Sequence, residues 1–320
     1  MSYQVLPNSG KYVEKMIQAT IMPGLYARRI FEEGDCIKPL PPYTLKADMF
    51  KFDEANMDYG GYTFTFTDMP LLEVPVKEFT GNLQGIGGYF KIPRAIANAI
   101  IQNSEGVNLT VAELIQAQIG FMGKQVNAYL YHGDKSRYYR TGDKKAAAGA
   151  YTGVFNASGI GTITNAGVGD DDLTTYGDFI QLVARAKAQA RKAGAIPPYF
   201  VVMDENCLAE LEKHFNATSG IAEKAQIEAA NPDVAILGDD GVLGSTETTK
   251  HYVRLCAPKH RAGKNLFLYE ANKWNVEPQF NGGLHMNSQW WATGWSGRIE
   301  VLNPSTIITT SDVTLSAGLD

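Results

Sequence analysis

Five histidines (His132, His214, His251, His260 and His285) and three cysteines (Cys36, Cys207 and Cys256) are the side chains best suited to metal binding or nucleophilic chemistry. Their spacing supports neither. No two histidines fall one helical turn apart, as two ligands on one helix face would require. No cysteine pair has a zinc or redox spacing, and an odd, scattered set argues against a disulfide framework and for a reducing compartment. Ser296 in Gly294-Trp295-Ser296-Gly297 falls short of the Gly-x-Ser-x-Gly nucleophile pattern, and turn geometry is its better reading. Gly85-Ile86-Gly87-Gly88 matches neither the dinucleotide fingerprint nor a phosphate loop, which ends in Lys-Ser/Thr, and Gly159-Ile160-Gly161 is weaker still. Asp170-Asp171-Asp172 could hold a cation, but such runs are usually solvated loops. No catalytic, cofactor-binding or metal-ligating residue follows from these patterns. Distant residues can converge on folding, so an α/β enzyme without a recognisable motif stays open.

The composition narrows the classes further. The chain has 320 residues, 44% hydrophobic and 20% charged, which is ordinary globular usage and enough for one large or two modest domains. The formal net charge is −5, without the basic excess expected of a protein that grips nucleic acid by counterion release. No apolar run approaches the ~18 residues of a membrane helix. Met1-Ser2-Tyr3-Gln4-Val5 lacks a charged-then-apolar secretory signal, so a chain that is cytoplasmic, or assembled in the cytoplasm, is expected.

The elements that would position any site read as follows. Val13, Ile17, Ile21 and Leu25 have helical spacing, interrupted by Pro23 and Gly24; Pro39, Pro41 and Pro42 then force an extended arm. From Ala47 to Phe79 the pattern is a β ribbon. Phe50 and Phe52 alternate, as do Tyr62, Phe64 and Phe66 between threonines, and Asp58-Tyr59-Gly60-Gly61 signals the turn. An isolated hairpin is marginal in water, so the ribbon should lie against something, either an internal sheet or another chain. A strand through Gly85–Pro93 leads into a short helix, Arg94 to Ile101, with Pro93 near its first turn.

The clearest element is a helix from about Val111 to Tyr131. Thr110 and Glu113 form a capping box. Val111, Leu114, Ile115, Ile119, Met122, Val126, Tyr129 and Leu130 line one face at spacings of three and four. About 21 residues at ~1.5 Å rise give roughly 31 Å. Gly120 and Gly123 lie inside it, each costing about 1 kcal/mol against alanine, so close approach or bending is expected there. Lys135, Arg137, Arg140, Lys144 and Lys145 form a basic stretch that reads as a solvated loop.

Beyond it the order is α/β. Thr175-x-x-Asp178 opens a helix that ends near Ala193, with Gly194 as its stop. A strand at Tyr199–Met203 follows, then a helix capped by Asp204. Asn216 to Thr249 is rich in Gly, Asp and Thr, with a strand at Val234–Leu237 and Asp239, Asp240 and Gly241 as a loop tip. Strands are expected at His251–Leu255, Asn265–Tyr269 and through Trp290–Thr310, with a turn at Asn303-Pro304.

Taken in order, Leu71–Phe79, Gly87–Ala97, the helix Val111–Tyr131, the step Gly133-Asp134 and the resumption at Gly153-Val154-Phe155-Asn156 resemble the major capsid proteins of tailed double-stranded DNA viruses. Their fold is named after bacteriophage Hong Kong 97, and the likeness is closest to a phage and prophage branch. The resemblance covers about Ala47 to Ser311. It implies an α+β fold with a short N-terminal arm (1–46), an extended loop (47–80), a peripheral domain (81–175 and 286–320) with a spine helix at 111–131, and an axial domain (176–285).

It also implies a non-enzymatic, self-assembling subunit. Hexamers and pentamers would tile an icosahedral virion head around double-stranded DNA, assembled in the host cytoplasm without sequence-specific binding, cofactor, metal or membrane. Portal, scaffold and decoration proteins are the partners it allows, any scaffold being a separate protein or absent. Phe50, Phe52, Tyr62, Phe64 and Phe66 would make inter-subunit contacts, Gly120 and Gly123 would permit flexure, and Asp239, Asp240 and Gly241 would line the axis. Lys51 and Lys77 fall in or near the loop, but no asparagine partner identifies a crosslink. An encapsulin-type shell around an enzyme cargo is the alternative within the same fold.

Overall fold

The computed structural model describes residues 26–41, 44, 46–52, 76–93, 111–136, 151–163, 172–247, 249–279 and 288–316. Five helices lie among them: α1 (Tyr26–Glu33), α2 (Val111–His132), α3 (Asp178–Lys192), α4 (Glu205–Lys213) and α5 (Glu223–Ala230). Two larger sheets organise the strands. The first joins β1 (Ile37–Pro39), β12 (Leu266–Gln279), β13 (Ser288–Val301) and β4 (Gln84–Pro93) in that spatial order. The second runs β5 (Gly161–Ile163), β14 (Ile308–Thr310), β9 (Val253–Cys256), β7 (Tyr199–Met203) and β8 (Val234–Gly238). Smaller sheets pair β2 (Lys46–Phe52) with β3 (Val76–Asn82), and β10 (Lys259–His260) with both β11 (Gly263–Lys264) and β6 (Ala195–Ile196).

β7 divides the interior. Its five consecutive apolar residues are all buried. Successive side chains of a strand point to opposite faces. Phe200 and Val202 accordingly join a core with Ile30, Phe31, Tyr129, Leu130, Trp295 and Ile299. Tyr199, Val201 and Met203 join another with Phe179, Leu182, Val183, Leu211 and Ile308. A strand buried on both faces reads as an unbroken apolar run, and this one does.

α3 presents Phe179, Leu182, Val183, Ala186 and Ala190 to the second core at the expected spacing. Its N-terminus keeps one half of the expected capping box, the back-bond from Asp178 to Thr175 N, and loses the other. Asp178 Oδ2 accepts from Thr175 N at 2.8 Å, but Thr175 Oγ1 donates to the same oxygen at 2.6 Å rather than serving a helix N–H, and Gly177 is the cap at φ 103°. The helix N–H groups of Gly177 and Ile180 go to Glu223 Oε1 at 3.1 and 3.0 Å. Asp204 caps α4 as expected, accepting from Asn206 N and Cys207 N, both at 3.1 Å.

The ribbon appears as β2 and β3, antiparallel from Lys46↔Asn82 to Phe52↔Val76, with Phe50 opposite Glu78. Tyr62, Phe64 and Phe66, the helix expected at 94–101 and the cap residue Thr110 lie outside the described residues.

The stretch 216–249 is not the long loop its composition suggests. It contains α5, β8 and a 3-10 turn at Asp240–Val242. The expected loop tip is a packed corner: Asp239 and Gly241 are buried, and only Asp240 is exposed. The reason is a partner distant in sequence. Asn127 of α2 donates through Nδ2 to Asp239 Oδ2, while Asp239 Oδ1 accepts from Gly241 N at 2.8 Å. β5 and β14 join the α/β sheet, and β12 pairs with β13.

Candidate functional site

The polar interior converges on the C-terminal half of α2, where Val126 to Gly133 is buried on every side. A helix apolar or buried all round belongs to a core rather than a surface. Three polar clusters fasten it and its surroundings. Asn127 Oδ1 accepts from Ala27 N at 2.9 Å, so one amide ties the start of α1 to the Asp239 corner. Burial chiefly raises the Asp239 carboxyl, against the opposing pull of its Asn127 and Gly241 hydrogen bonds.

In the second cluster, Arg28 grips Glu270 through both guanidinium nitrogens, and Trp295 Nε1 donates to Glu270 Oε1 at 2.7 Å. α1, β12 and β13 are thereby fixed together. In the third, Arg254 Nη2 reaches both carboxylate oxygens of Glu247 at 2.7 Å, and Nη1 donates to Val242 O. Burial, then the neighbouring Arg254, pushes His132 down to about 4.

The two glycine steps that carried the resemblance meet here. Gly133 has φ 59°, and a Cβ on it would stand 2.3 Å from Tyr151 O. A Cβ on Gly153 would stand 2.3 Å from His132 N. Asp134 N donates to Tyr151 O at 3.2 Å, and Phe155 stacks on Tyr131 at 5.3 Å between centroids. Both positions thus need glycine because two backbones cross in contact. Gly120 differs. It is half-buried, and nothing among the described residues lies within 4 Å of an added Cβ, so none of them makes the close approach expected there. Gly123 is buried.

Asp204, Cys207 and His251 bring one potential ligand atom each within 4.8 Å of one another. The carboxylate is already committed: Oδ1 caps α4 and lies 3.1 Å from His251 Nδ1, while Oδ2 accepts from Tyr252 N at 3.2 Å. Burial, then the Asp204 charge, pushes the Cys207 thiol far up. The trio is a helix cap with a histidine brace, and its donors do not fit a metal. Burial likewise raises Cys36 to about 11 and Cys256 further, so neither thiol is activated.

The structure does not gather the sequence-predicted residues into one place. Phe50 and Phe52 lie on β2, Gly120 and Gly123 on α2, and Asp239 and Gly241 pack under α2 through Asn127. Sequence reasoning passed over Asn127, Arg28 and Glu270. The available signal was weak: an asparagine on the apolar stretch of α2. No helix among the described residues is long and apolar enough to cross a membrane.

No protein-family model matches the sequence, and no curated protein matches it. Solved structures do. The subunit of a virus-like particle from Pyrococcus furiosus superposes at a TM-score of 0.58 with 9% identity, over 93% of this chain and 98% of that one. The capsid of Myoviridae phage XM1 gives 0.60 with 14% identity, over 88% and 91%. The holo-SrpI encapsulin complex from Synechococcus elongatus PCC 7942 gives 0.50 with 12% identity, over 92% and 89%. The chain is a mixed helix-and-sheet protein with the fold of these shell subunits.

Proposed function

We propose that this chain is the major capsid protein of a tailed double-stranded DNA virus, assembling as hexamers and pentamers into an icosahedral head. The observation that carries the reading is that the likeness to shell subunits runs over almost the whole of both chains rather than over one shared subdomain. The role is structural, the location is the virion, and assembly takes place in the host cytoplasm. The ribbon 47–80 reaches a neighbouring subunit through Phe50, Phe52, Tyr62, Phe64 and Phe66. Residues 81–175 and 286–320 form the peripheral domain around the spine helix. Residues 176–285 form the axial domain, with the Asp239–Gly241 corner toward the symmetry axis. Portal, scaffold and decoration proteins are the further partners.

Large apolar and polar areas between subunits, repeated by symmetry, would hold such a shell. The test is to express the chain and examine it by size-exclusion chromatography and electron microscopy. Closed particles are expected, and a chain lacking residues 52–66 is expected to stay soluble without assembling. A small oligomer from the full chain would reject the reading in favour of an enzyme without a recognisable motif.

The likeness to an encapsulin over a similar share of the chain favours a second reading, a shell around an enzyme cargo. Neighbouring terminase and portal genes would favour the viral head. A ferritin-like or peroxidase gene would favour the cargo shell.

A further inference from the structure

β7 and β8 run parallel, from Tyr199↔Val234 to Met203↔Gly238, so their ends define two opposite edges of the α/β sheet. Five residues of strand separate the edges by roughly 17 Å. The two edges carry opposite charge.

At the C-terminal edge, Met203 leads into Asp204-Glu205 and Gly238 into Asp239-Asp240. Glu205 and Asp240 are both exposed, and Glu205 N donates to Asp240 Oδ1 at 3.3 Å. Partial burial, then the charges of Asp240, Asp239, Asp204 and Glu212, hold the Glu205 carboxyl above its usual range. Glu205 forms no ion pair among the described residues. Lys250, at the same edge, is engaged with Asp312 at 3.5 Å.

At the N-terminal edge, α3 ends in Lys192, and the β6–β10–β11 sheet closes against it through Arg261 N, which donates to Gly194 O at 2.9 Å. Lys259 stands opposite Ile196 in that sheet. Lys192 and Arg261 are exposed, Lys259 is half-exposed, and none of the three forms an ion pair among the described residues. Asp233 is engaged by Lys187 at 2.5 Å and Arg191 at 3.5 Å, and Asp35 by Lys264 at 2.8 Å. In a chain of net charge −5, this cationic cluster does not reflect a general basic excess.

We propose that the basic edge of one copy, Lys192, Lys259 and Arg261, docks on the acidic edge of the next copy, Glu205 and Asp240. The inference rests on the shell reading and names a contact within it. Such a contact is head-to-tail, and a head-to-tail contact generates a ring when its rotation closes. Exposed ion pairs contribute little stability each, so the complementary edges act mainly on encounter and register.

The test uses the full chain with three sets of substitutions. Lys192→Glu, Lys259→Glu and Arg261→Glu together make the basic edge acidic. Glu205→Lys and Asp240→Lys make the acidic edge basic. The third chain carries all five. Particle yield is read by size-exclusion chromatography and electron microscopy, with circular dichroism and thermal melting as the check on folding. Each single-edge chain is expected to lose at least tenfold in particle yield while melting normally, and the five-fold chain to recover most of it. Raising the salt from about 0.1 to about 1 M, which shortens the screening length from ~10 to ~3 Å, is expected to slow assembly of the unmodified chain.

Unchanged yield from the single-edge chains, or no recovery in the five-fold chain, overturns the proposal. If a reversed chain melts abnormally, Arg261→Gln with Lys192→Gln, and Glu205→Gln with Asp240→Asn, replace it. A roughly threefold loss is then expected, and no loss counts against the contact. Failure of the unmodified chain to form particles would instead reject the shell reading itself.

Discussion

His132 Nε2 and Arg254 Nη1 lie 2.9 Å apart and both face the carbonyl of Val242, which is 2.5 Å from the imidazole. Arg254 donates to that carbonyl, and the ring either donates to it from Nε2 or accepts from Arg254 Nη1 there, neutral in both arrangements beside a fixed guanidinium charge. A second proton on His132 would place two cations in contact in the core, just where α2 ends.

Acid should therefore weaken the fold in a defined window. The His132 pKa is about 4 in the folded chain, below the ~6.5 of an unperturbed histidine. Between these values the unfolded chain takes up a proton that the folded chain refuses, so stability falls as pH falls from about 6.5 to 4. The loss is on the order of 3 kcal/mol at its full extent. Glu247, lowered chiefly by Arg254 against its own desolvation, adds a loss in the same direction at lower pH. Urea unfolding of the unassembled subunit across this range should show the slope, and His132→Gln should flatten it between pH 6.5 and 5. An equal slope in both chains would assign the acid sensitivity elsewhere.

The Arg28–Glu270 pair should behave as a buried ion pair. The two side chains are 6% and 0% exposed, so removing one charge strands the other in the core. Arg28→Met is expected to cost about 3–5 kcal/mol. Arg28→Met with Glu270→Leu should cost clearly less, although it leaves Trp295 Nε1 without its acceptor. Denaturant midpoints of the two variants decide this. A double variant as unstable as the single would mean that packing rather than charge sets the cost.

What was legible in the sequence follows the reach of the interactions. β7 reads directly as a strand because its five apolar residues need only local pattern, and Asp204 reads as a cap because its acceptors serve N–H groups two and three residues on. Asp239-Asp240-Gly241 has the chemistry of an exposed turn, and nothing local reveals Asn127, 112 residues away, which buries it. Thr175-x-x-Asp178 reads as a capping box, yet Glu223 of α5 supplies the acceptor that the N-terminus of α3 uses. The glycine steps at 133 and 153 were visible as a spacing, but the reason for them, a backbone crossing, exists only once both segments are placed.

Asn127 should prove costlier than an ordinary helix residue. It serves a buried backbone N–H on one side and a buried carboxylate on the other. Asn127→Leu takes the partner from the Ala27 N–H and from Asp239 Oδ2, at about 1–3 kcal/mol each, while Asp239 Oδ1 keeps Gly241 N. Asn127→Ala additionally opens space beneath Tyr131 and Gly241, so it should be no less damaging. Hydrogen exchange should show the Ala27 amide losing protection first. Retained protection at Ala27 would mean that α1 is held by Arg28–Glu270 alone.

The glycines of α2 and its flank should separate folding from assembly. Gly153→Ala must push a methyl group into the backbone at His132, and Gly133→Ala adds left-handed strain to a similar clash, so both should prevent a stable subunit. Gly120→Ala meets nothing within 4 Å among the described residues and should raise subunit stability by about 0.5–1 kcal/mol through helix propensity alone. If Gly120 is retained for flexure or for contact with a neighbouring copy, that more stable subunit should give fewer particles. Thermal melting of the subunit and particle counts by electron microscopy, taken on the same preparation, measure the two effects independently. Higher melting temperature with undiminished particle yield would show that assembly does not use this glycine.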